Sequence, residues 1–366
     1  MFQEIVKRFS WTVVKCFMRN IIDNTNILYE VIYIRLFLIL ALVFYHAFAI
    51  FSGAWSPIAG YPDIQLYSIM DKLSYACLLE TFVFISGYIL GFQVSKKGEA
   101  YILNAKIFLG KKFKRLIVPS IMFSIIYTLI FNTTRNSVPQ VIYSILSGAG
   151  HMWFLPMLFW CFVFLYLTEK VKPSRICMTI LLPLMIFMSI LPLPFRLGTA
   201  CYYFIFFWAG YSIKKHNVQS YFNTNKATFV IILLFILSFI AKTNINELYM
   251  QVGGVNSLVV RLFNTTMLTL SRFFCASFGV ALLMILSIRM MNLKKYENGT
   301  LLIKLSDCCF GVYIFQQFIL LLLERTELAY NVSPYAYPWI TFFITIIISL
   351  ALTVIMRKTS IGSHLL

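Results

Sequence analysis

The chain has 366 residues, 60% of them hydrophobic and only 12% charged, with a mean hydropathy of +0.82. A soluble domain is about half apolar and roughly a quarter charged, so an ordinary soluble enzyme, a disordered chain and a disulfide-rich secreted domain are all excluded. The net charge of +18, from 31 Lys and Arg against 13 acids, then points to basic cytoplasmic loops of a membrane protein rather than to nucleic acid.

Residues 1–25 differ in kind from the rest. Phe2, Ile5, Val6, Phe9, Val13 and Phe17 recur at helical spacing, with Lys7, Arg8, Lys15 and Arg19 between them. That pattern predicts an amphipathic helix lying on an anionic leaflet; a loosely ordered basic tail is the plainer alternative. No removable signal peptide is expected, because no continuous apolar core with a small-residue cleavage site is present.

Ten apolar runs follow, at about 32–51, 74–94, 116–132, 152–168, 176–192, 199–213, 227–242, 262–288, 303–323 and 337–356. Each is near the ~20 residues that cross a bilayer, which predicts an all-α polytopic membrane helix bundle of about ten transmembrane helices. Placing both termini inside puts 23 basic residues in inner segments and five in outer loops (Lys72, Arg135, Arg196, Lys242 and Arg325). That asymmetry predicts an N-in, C-in topology. No internal repeat and no soluble domain interrupts the runs, so any chemistry belongs to the bundle and its short loops.

An ionisable residue inside a span is a functional candidate by default. The first span has two, Arg35 and His46. Eleven residues at about 100° each return to within about 20° of the start, so both share one face, ~16 Å apart along the axis. A neutral imidazole takes a proton from a hydroxyl, and an Arg at the inner mouth holds a phosphate or carboxylate. Spacing alone equally allows an Arg snorkelling to headgroups and a His bonded between helices.

The second span carries Glu80 just before Phe82-Val83-Phe84-Ile85-Ser86-Gly87-Tyr88. Glu80 pairs either with His46 or with an arginine of another span, or else lies idle in the outer interface. Ser86-Gly87 either lets two helices approach closely or leaves room for a ligand. Lys111, Lys112, Lys114 and Arg115 precede Pro119. Such a cluster suits anionic lipid or a polyphosphate, or is a plain positive-inside stop.

His151-Met152-Trp153-Phe154-Leu155-Pro156 opens the fourth span at its outer end. Trp153 fits an aromatic belt. His151 either offers a His/Trp platform to a sugar or is an exposed loop histidine. Arg261 and Arg272 occupy the eighth span, eleven apart on one face; Arg272 is deep enough to need a carboxylate, a water cavity or an anionic substrate. The eight cysteines form no CxxC pair, and adjacent Cys308 and Cys309 have no second Cys/His pair nearby. They are read as buried inert thiols, and no metal site is expected. No GxSxG elbow, Walker loop, HExxH or dinucleotide fingerprint is present.

Taken together, these residues resemble the acyltransferase-3 family of bacterial integral-membrane acyltransferases. Arg35, ten residues, then His46 looks like its leading motif, and Phe82 to Tyr88 like its "FFxISGY" segment. Arg115 and Pro119 fall at its basic stretch and proline. His151 to Leu155 is similar to its "HLWFL" element, and Gly311-Val312-Tyr313-Ile314-Phe315 to its "GxYxxH" segment. The match runs from about residue 28 to 356, and the transmembrane acyltransferase-like domain is set at 28–358.

The resemblance implies transfer of an acyl group, usually acetyl, from cytoplasmic acyl-CoA to a hydroxyl of a surface glycan or its lipid-linked precursor, in the bacterial cytoplasmic membrane. It makes His46 and Arg35 essential and puts Lys114 and Arg115 on the donor side, where Lys111 and Lys112 would join them around the donor phosphates. Glu80, Ser86, His151, Trp153 and Arg272 would line the acceptor side. No permanently bound cofactor is expected. Gln316 stands where many members have His, so a base is not expected there, and Val83 replaces a common Phe. Some members append an extracytoplasmic esterase-like domain; without one, this chain would complete the transfer alone or with a partner. The rival class is a non-enzymatic transporter or flippase for an anionic lipid-linked glycan, with Arg35, Arg261 and Arg272 along its path.

Overall fold

A computed structural model describes residues 28–131, 137–218, 224–252, 258–293, 299–360 and 362–366. The segment 1–25 lies outside the described residues, and so does the side chain of Arg261. Among the described residues the chain is helical, with no strand. The helices of ten or more residues are α1 (Tyr29–Ser52), α2 (Gln65–Ser74), α3 (Leu78–Lys97), α4 (Ala105–Phe131), α5 (Val138–Ser147), α6 (Phe154–Val171), α7 (Arg175–Met188), α8 (Leu197–Lys215), α9 (Asn225–Val252), α10 (Leu258–Leu293), α11 (Gly299–Glu324) and α12 (Tyr337–Arg357).

Each of the ten expected apolar runs falls on a helix. Eight segments are long and apolar enough to cross a bilayer. The two runs outside that set have physical reasons. Helix α7 is only 14 residues long and contains Pro183. Helix α8 packs against α3, α6 and α7 and carries buried Tyr202, Tyr203 and Tyr211; surrounded by protein, it does not need a lipid-compatible surface. Lys242, expected in an outer loop, instead lies within α9, which continues to Val252. The apolar run stops at Lys242, but polar residues carry the helix on.

Helix α1 sits at the centre. It packs against α2, α3, α10, α11 and α12, and its Leu38, Val43, Phe48 and Ala49 are fully buried. Gly53, in the left-handed region at φ 78°, stops it. Helix α9 lies at the rim, with almost all of its apolar window exposed, as a lipid-facing helix would be.

The tightest packing is between α3 and α8. A Cβ added at Gly87 would lie 2.0 Å from the Phe207 carbonyl oxygen, and one at Gly210 would lie 2.1 Å from that of Phe84. Small residues let membrane helices come this close. The Ser86-Gly87 pair therefore serves helix approach: α8 fills the space beside Gly87, and the Ser86 hydroxyl donates to the Phe82 carbonyl at 2.8 Å.

Polar groups pin the end of the bundle where α1 begins. Glu30 is buried, accepts from the Tyr88 hydroxyl at 3.0 Å and lies 3.6 Å from Lys214 Nζ. Lys215 meets Glu99 at 3.0 Å and Glu169 at 3.2 Å. Lys172 and Lys215 hold the Glu99 carboxyl down at about 2, well below the usual carboxylate range. At the opposite end, a tight connection leads into α8. Phe195 and Arg196 both sit in the left-handed region, at φ 50° and 64°, a conformation that costs a non-glycine residue about 1–2 kcal/mol. It is held by Trp160 Nε1 donating to the Phe195 carbonyl at 3.0 Å and Arg196 Nε donating to the Ser147 carbonyl at 3.3 Å.

Gly210→Leu should therefore drive α3 and α8 apart. Overpacking of this kind costs ~1–3 kcal/mol or more, and detergent-purified protein should lose several degrees of Tm or fail to elute as one species. Gly110→Ala, with nothing within 4 Å of the new Cβ, should leave Tm unchanged or raise it. Equal behaviour of the two variants would contradict the packing.

Candidate functional site

His46 sits two turns before the end of α1, half-buried. Its Nδ1 lies 2.9 Å from Oε1 of Gln316 on α11. A carbonyl oxygen accepts only from an N–H, so Nδ1 carries the proton and Nε2 keeps its lone pair. The ring stacks on Trp55, with centroids 5.6 Å apart. Gln316 is fully buried, and its Nε2 has no hydrogen-bond partner among the described residues. Packing of α1 against α11 brings these two residues, 270 positions apart, into one bond.

The same stretch of α11 holds His151. Gly148 and Gly150, at φ 84° and 55°, turn the chain between α5 and α6, and side chains would collide there: a Cβ at Gly150 would lie 2.5 Å from the Tyr127 ring. Ser124 of α4 accepts from the Ala149 N–H at 3.0 Å and steadies the turn. His151 follows in a 3-10 turn, Gly150–Trp153. It is buried, which overturns the exposed-loop alternative. Its Nε2 donates to the Ile314 carbonyl at 2.8 Å, and its own carbonyl accepts from the Tyr313 hydroxyl. His151 Nδ1 has no partner, nor has Oε1 of Gln317. The two imidazoles are within electrostatic reach of each other. Residues 313–317 of α11 thus carry both histidines, and each ring keeps one nitrogen free.

Glu80 and Arg272 find each other. Arg272 Nε and Nη2 lie 3.0 and 2.9 Å from Glu80 Oε1, and Nη2 donates to the Tyr203 hydroxyl at 2.5 Å. The guanidinium also lies over the Tyr202 ring, 4.7 Å from its centroid. Of the alternatives for each residue, the arginine of another span and the carboxylate are the ones realised. This pairing explains both residues without a substrate. Tyr75 is within electrostatic reach of both and stacks on Tyr45 at 4.1 Å, linking this cluster to the residue beside His46. Lys242 is within reach of Glu80 and Arg272 as well.

Arg35 lies nearer the start of α1. Arg115 and Asp307 are within electrostatic reach of it, yet neither arginine forms an ion pair among the described residues. Two guanidinium groups held near one another make a natural anion site. The rest of the expected basic cluster divides. Lys112 turns toward α6, with Nζ 4.3 Å from the Phe162 centroid, while Lys111, Lys114 and Arg115 are exposed. Lys112 and Lys114 point about 160° apart around the helix, so the four residues do not converge on one point. Trp153 packs 6.3 Å from Tyr203 on one side and under Arg196 at 5.8 Å on the other.

Sequence reasoning gave no role to Gln316, Tyr203, Tyr45 or Tyr75. Gln316 was visible only as a departure from a motif. The tyrosines carry no signal separating them from the other aromatic residues of the spans.

The fold defines a polytopic helical membrane protein with two histidines bonded to one stretch of α11 inside the bundle. A family model described as an acyltransferase domain matches residues 28–358. The chain belongs to that family, acyltransferase-3, and is a multi-pass membrane acyltransferase. No curated protein and no solved structure matches it.

Arg272→Gln should be strongly destabilising, because it strands a buried Glu80. Breaking one side of a buried pair typically costs about 3–5 kcal/mol. Adding Glu80→Gln should recover part of the loss in a thermal denaturation series. A single Arg272→Gln variant as stable as wild type would show that the pair carries no structural load.

Proposed function

We propose that the protein moves an acyl group, acetyl in the simplest case, from cytoplasmic acyl-CoA to a hydroxyl of a surface polysaccharide or its lipid-linked precursor, in the bacterial cytoplasmic membrane. The observation that carries this reading is the His46–Gln316 hydrogen bond. It leaves Nε2 as a free base on the same helix face as an arginine that forms no ion pair among the described residues.

In this mechanism the N-terminal end of α1 faces the cytoplasm. Arg35 and Arg115 hold the donor phosphates, with Lys112 beside them, and the thioester end extends along α1 toward His46. The acceptor hydroxyl donates its proton to His46 Nε2 as its oxygen attacks the thioester carbonyl. The C–O bond forms, the C–S bond breaks, and the CoA thiolate leaves and takes up the proton from the imidazolium. Gln316 holds the ring in the tautomer that makes Nε2 the base, and general-base help is worth ~100- to 10,000-fold in rate. His151, bonded to the same stretch of α11 and within electrostatic reach of His46, holds that side of the site in place. The Glu80–Arg272–Tyr203 cluster keeps α3, α8 and α10 in register around this space.

The test is transfer of radiolabelled acetyl from acetyl-CoA into glycan and lipid fractions of membranes. Arg35→Gln and Arg115→Gln should each raise half-saturation by acyl-CoA about tenfold, as expected for losing a charge-assisted contact of ~1.5 kcal/mol. Gln316→Leu should lower kcat with KM unchanged. Absence of label across several acyl donors, with wild-type protein present and both acceptor fractions supplied, would reject acyl transfer and favour a transporter.

A further inference from the structure

At the end of the bundle opposite Glu30, a cavity of about 360 Å³ opens between α5, the segment after α7 and the start of α8. Its size lies at the small end of the ~300–1,000 Å³ range of ligand pockets. Its chemistry is unlike that of a lipid-facing crevice. Ser144, Ser147, Ser189 and Thr199 line it together with Tyr143, and Arg196 supplies a positive charge. Ser147 is buried, and its hydroxyl has no hydrogen-bond partner. Arg196 spends Nε on the Ser147 carbonyl and forms no ion pair among the described residues. It is held in the left-handed backbone conformation described above, and its guanidinium lies over Trp153. Trp153 shares a 3-10 turn with His151.

We infer that this cavity binds an anionic saccharide unit, with Arg196 on its carboxylate or phosphate, the serine and threonine hydroxyls on its hydroxyls and the Tyr143 ring along its face. An exposed guanidinium with two free nitrogens, on the rim of a cavity lined by serine, threonine and tyrosine, suits a ligand that is both acidic and hydroxylated. Neutral sugars satisfy only the second demand. A phospholipid headgroup satisfies the first, but the ring of hydroxyls offers little to acyl chains. That this ligand is the acceptor rests on the function proposed above; that the cavity binds it does not.

The experiment uses the full chain in nanodiscs of neutral phosphatidylcholine, with D-glucuronate and D-glucose as probes in saturation-transfer NMR. Wild type should give glucuronate signals at concentrations where glucose gives none. Arg196→Gln should weaken glucuronate binding at least tenfold, and Arg196→Lys should retain part of it, with Tm measured for each variant as the folding control. Undiminished binding by Arg196→Gln, or no preference for glucuronate over glucose, would overturn the assignment. So would loss of the glucuronate signal when phosphatidylglycerol is added, together with Arg196-dependent retention of that lipid in mass spectra; the site would then belong to a lipid. Because binding is read without turnover, a protein that binds glucuronate but transfers no acetyl would keep this site and reject the acyl-transfer reading. One that transfers acetyl with no dependence on Arg196 in binding would do the reverse.

Discussion

Inside a bilayer a polar side chain can bond only to protein, to trapped water or to a ligand, and the bond between His46 and Gln316 is where that constraint meets chemistry. Gln316 Oε1 accepts from His46 Nδ1–H, which fixes the tautomer and leaves the Nε2 lone pair free. That geometry requires α1 and α11 to touch at one register. The register in turn depends on α1 lying at the centre of the bundle, contacting five other helices. Everything proposed for Arg35 follows from its sharing that helix face.

The polar residues of the bundle fall into two kinds. Some are paired off: Glu80 with Arg272 and Tyr203, Glu30 with Tyr88 and Lys214. Each joins helices distant in sequence and needs nothing further. Others are left wanting. Arg35 and Arg115 lie within electrostatic reach of each other and of Asp307 but form no ion pair among the described residues, His151 Nδ1 and Ser147 Oγ have no hydrogen-bond partner, and Arg196 sits on a strained backbone beside a cavity. Leaving a buried polar group unsatisfied costs about 1–3 kcal/mol, a cost that falls on His151 and Ser147; Arg115 and Arg196 are exposed and do not bear it.

The helices themselves were legible in the sequence, because a span must be apolar and about twenty residues long; α4, α9 and α10 run past their apolar stretches, since polar residues can continue a helix. Arg35, His46, Glu80 and Arg272 stood out for the same reason, as charges or imidazoles in apolar runs. Their partners did not. The Glu80–Arg272 pair was one of several open alternatives, and nothing in a linear pattern says that α3 meets α10. Gln316 was hidden because a glutamine in a span is unremarkable until a histidine is found beside it. His151 looked like a loop residue because the glycine turn that buries it is defined by collisions with Tyr127 and Trp153, which belong to other positions in the chain. The basic cluster at Lys111–Arg115 read as one unit in sequence, whereas helical geometry separates Lys112 and Arg115 from Lys114.

The most direct test of the central claim is a single-turnover measurement on His46→Ala, matched to wild type for protein level and Tm, following loss of labelled acetyl from acetyl-CoA and its appearance in the glycan fraction. The account predicts that acetyl-CoA still binds, because Arg35 and Arg115 are intact, while transfer falls by at least ~100-fold. Transfer at the wild-type rate would contradict it and would mean that the imidazole held by Gln316 is a structural bond between α1 and α11, with the base elsewhere.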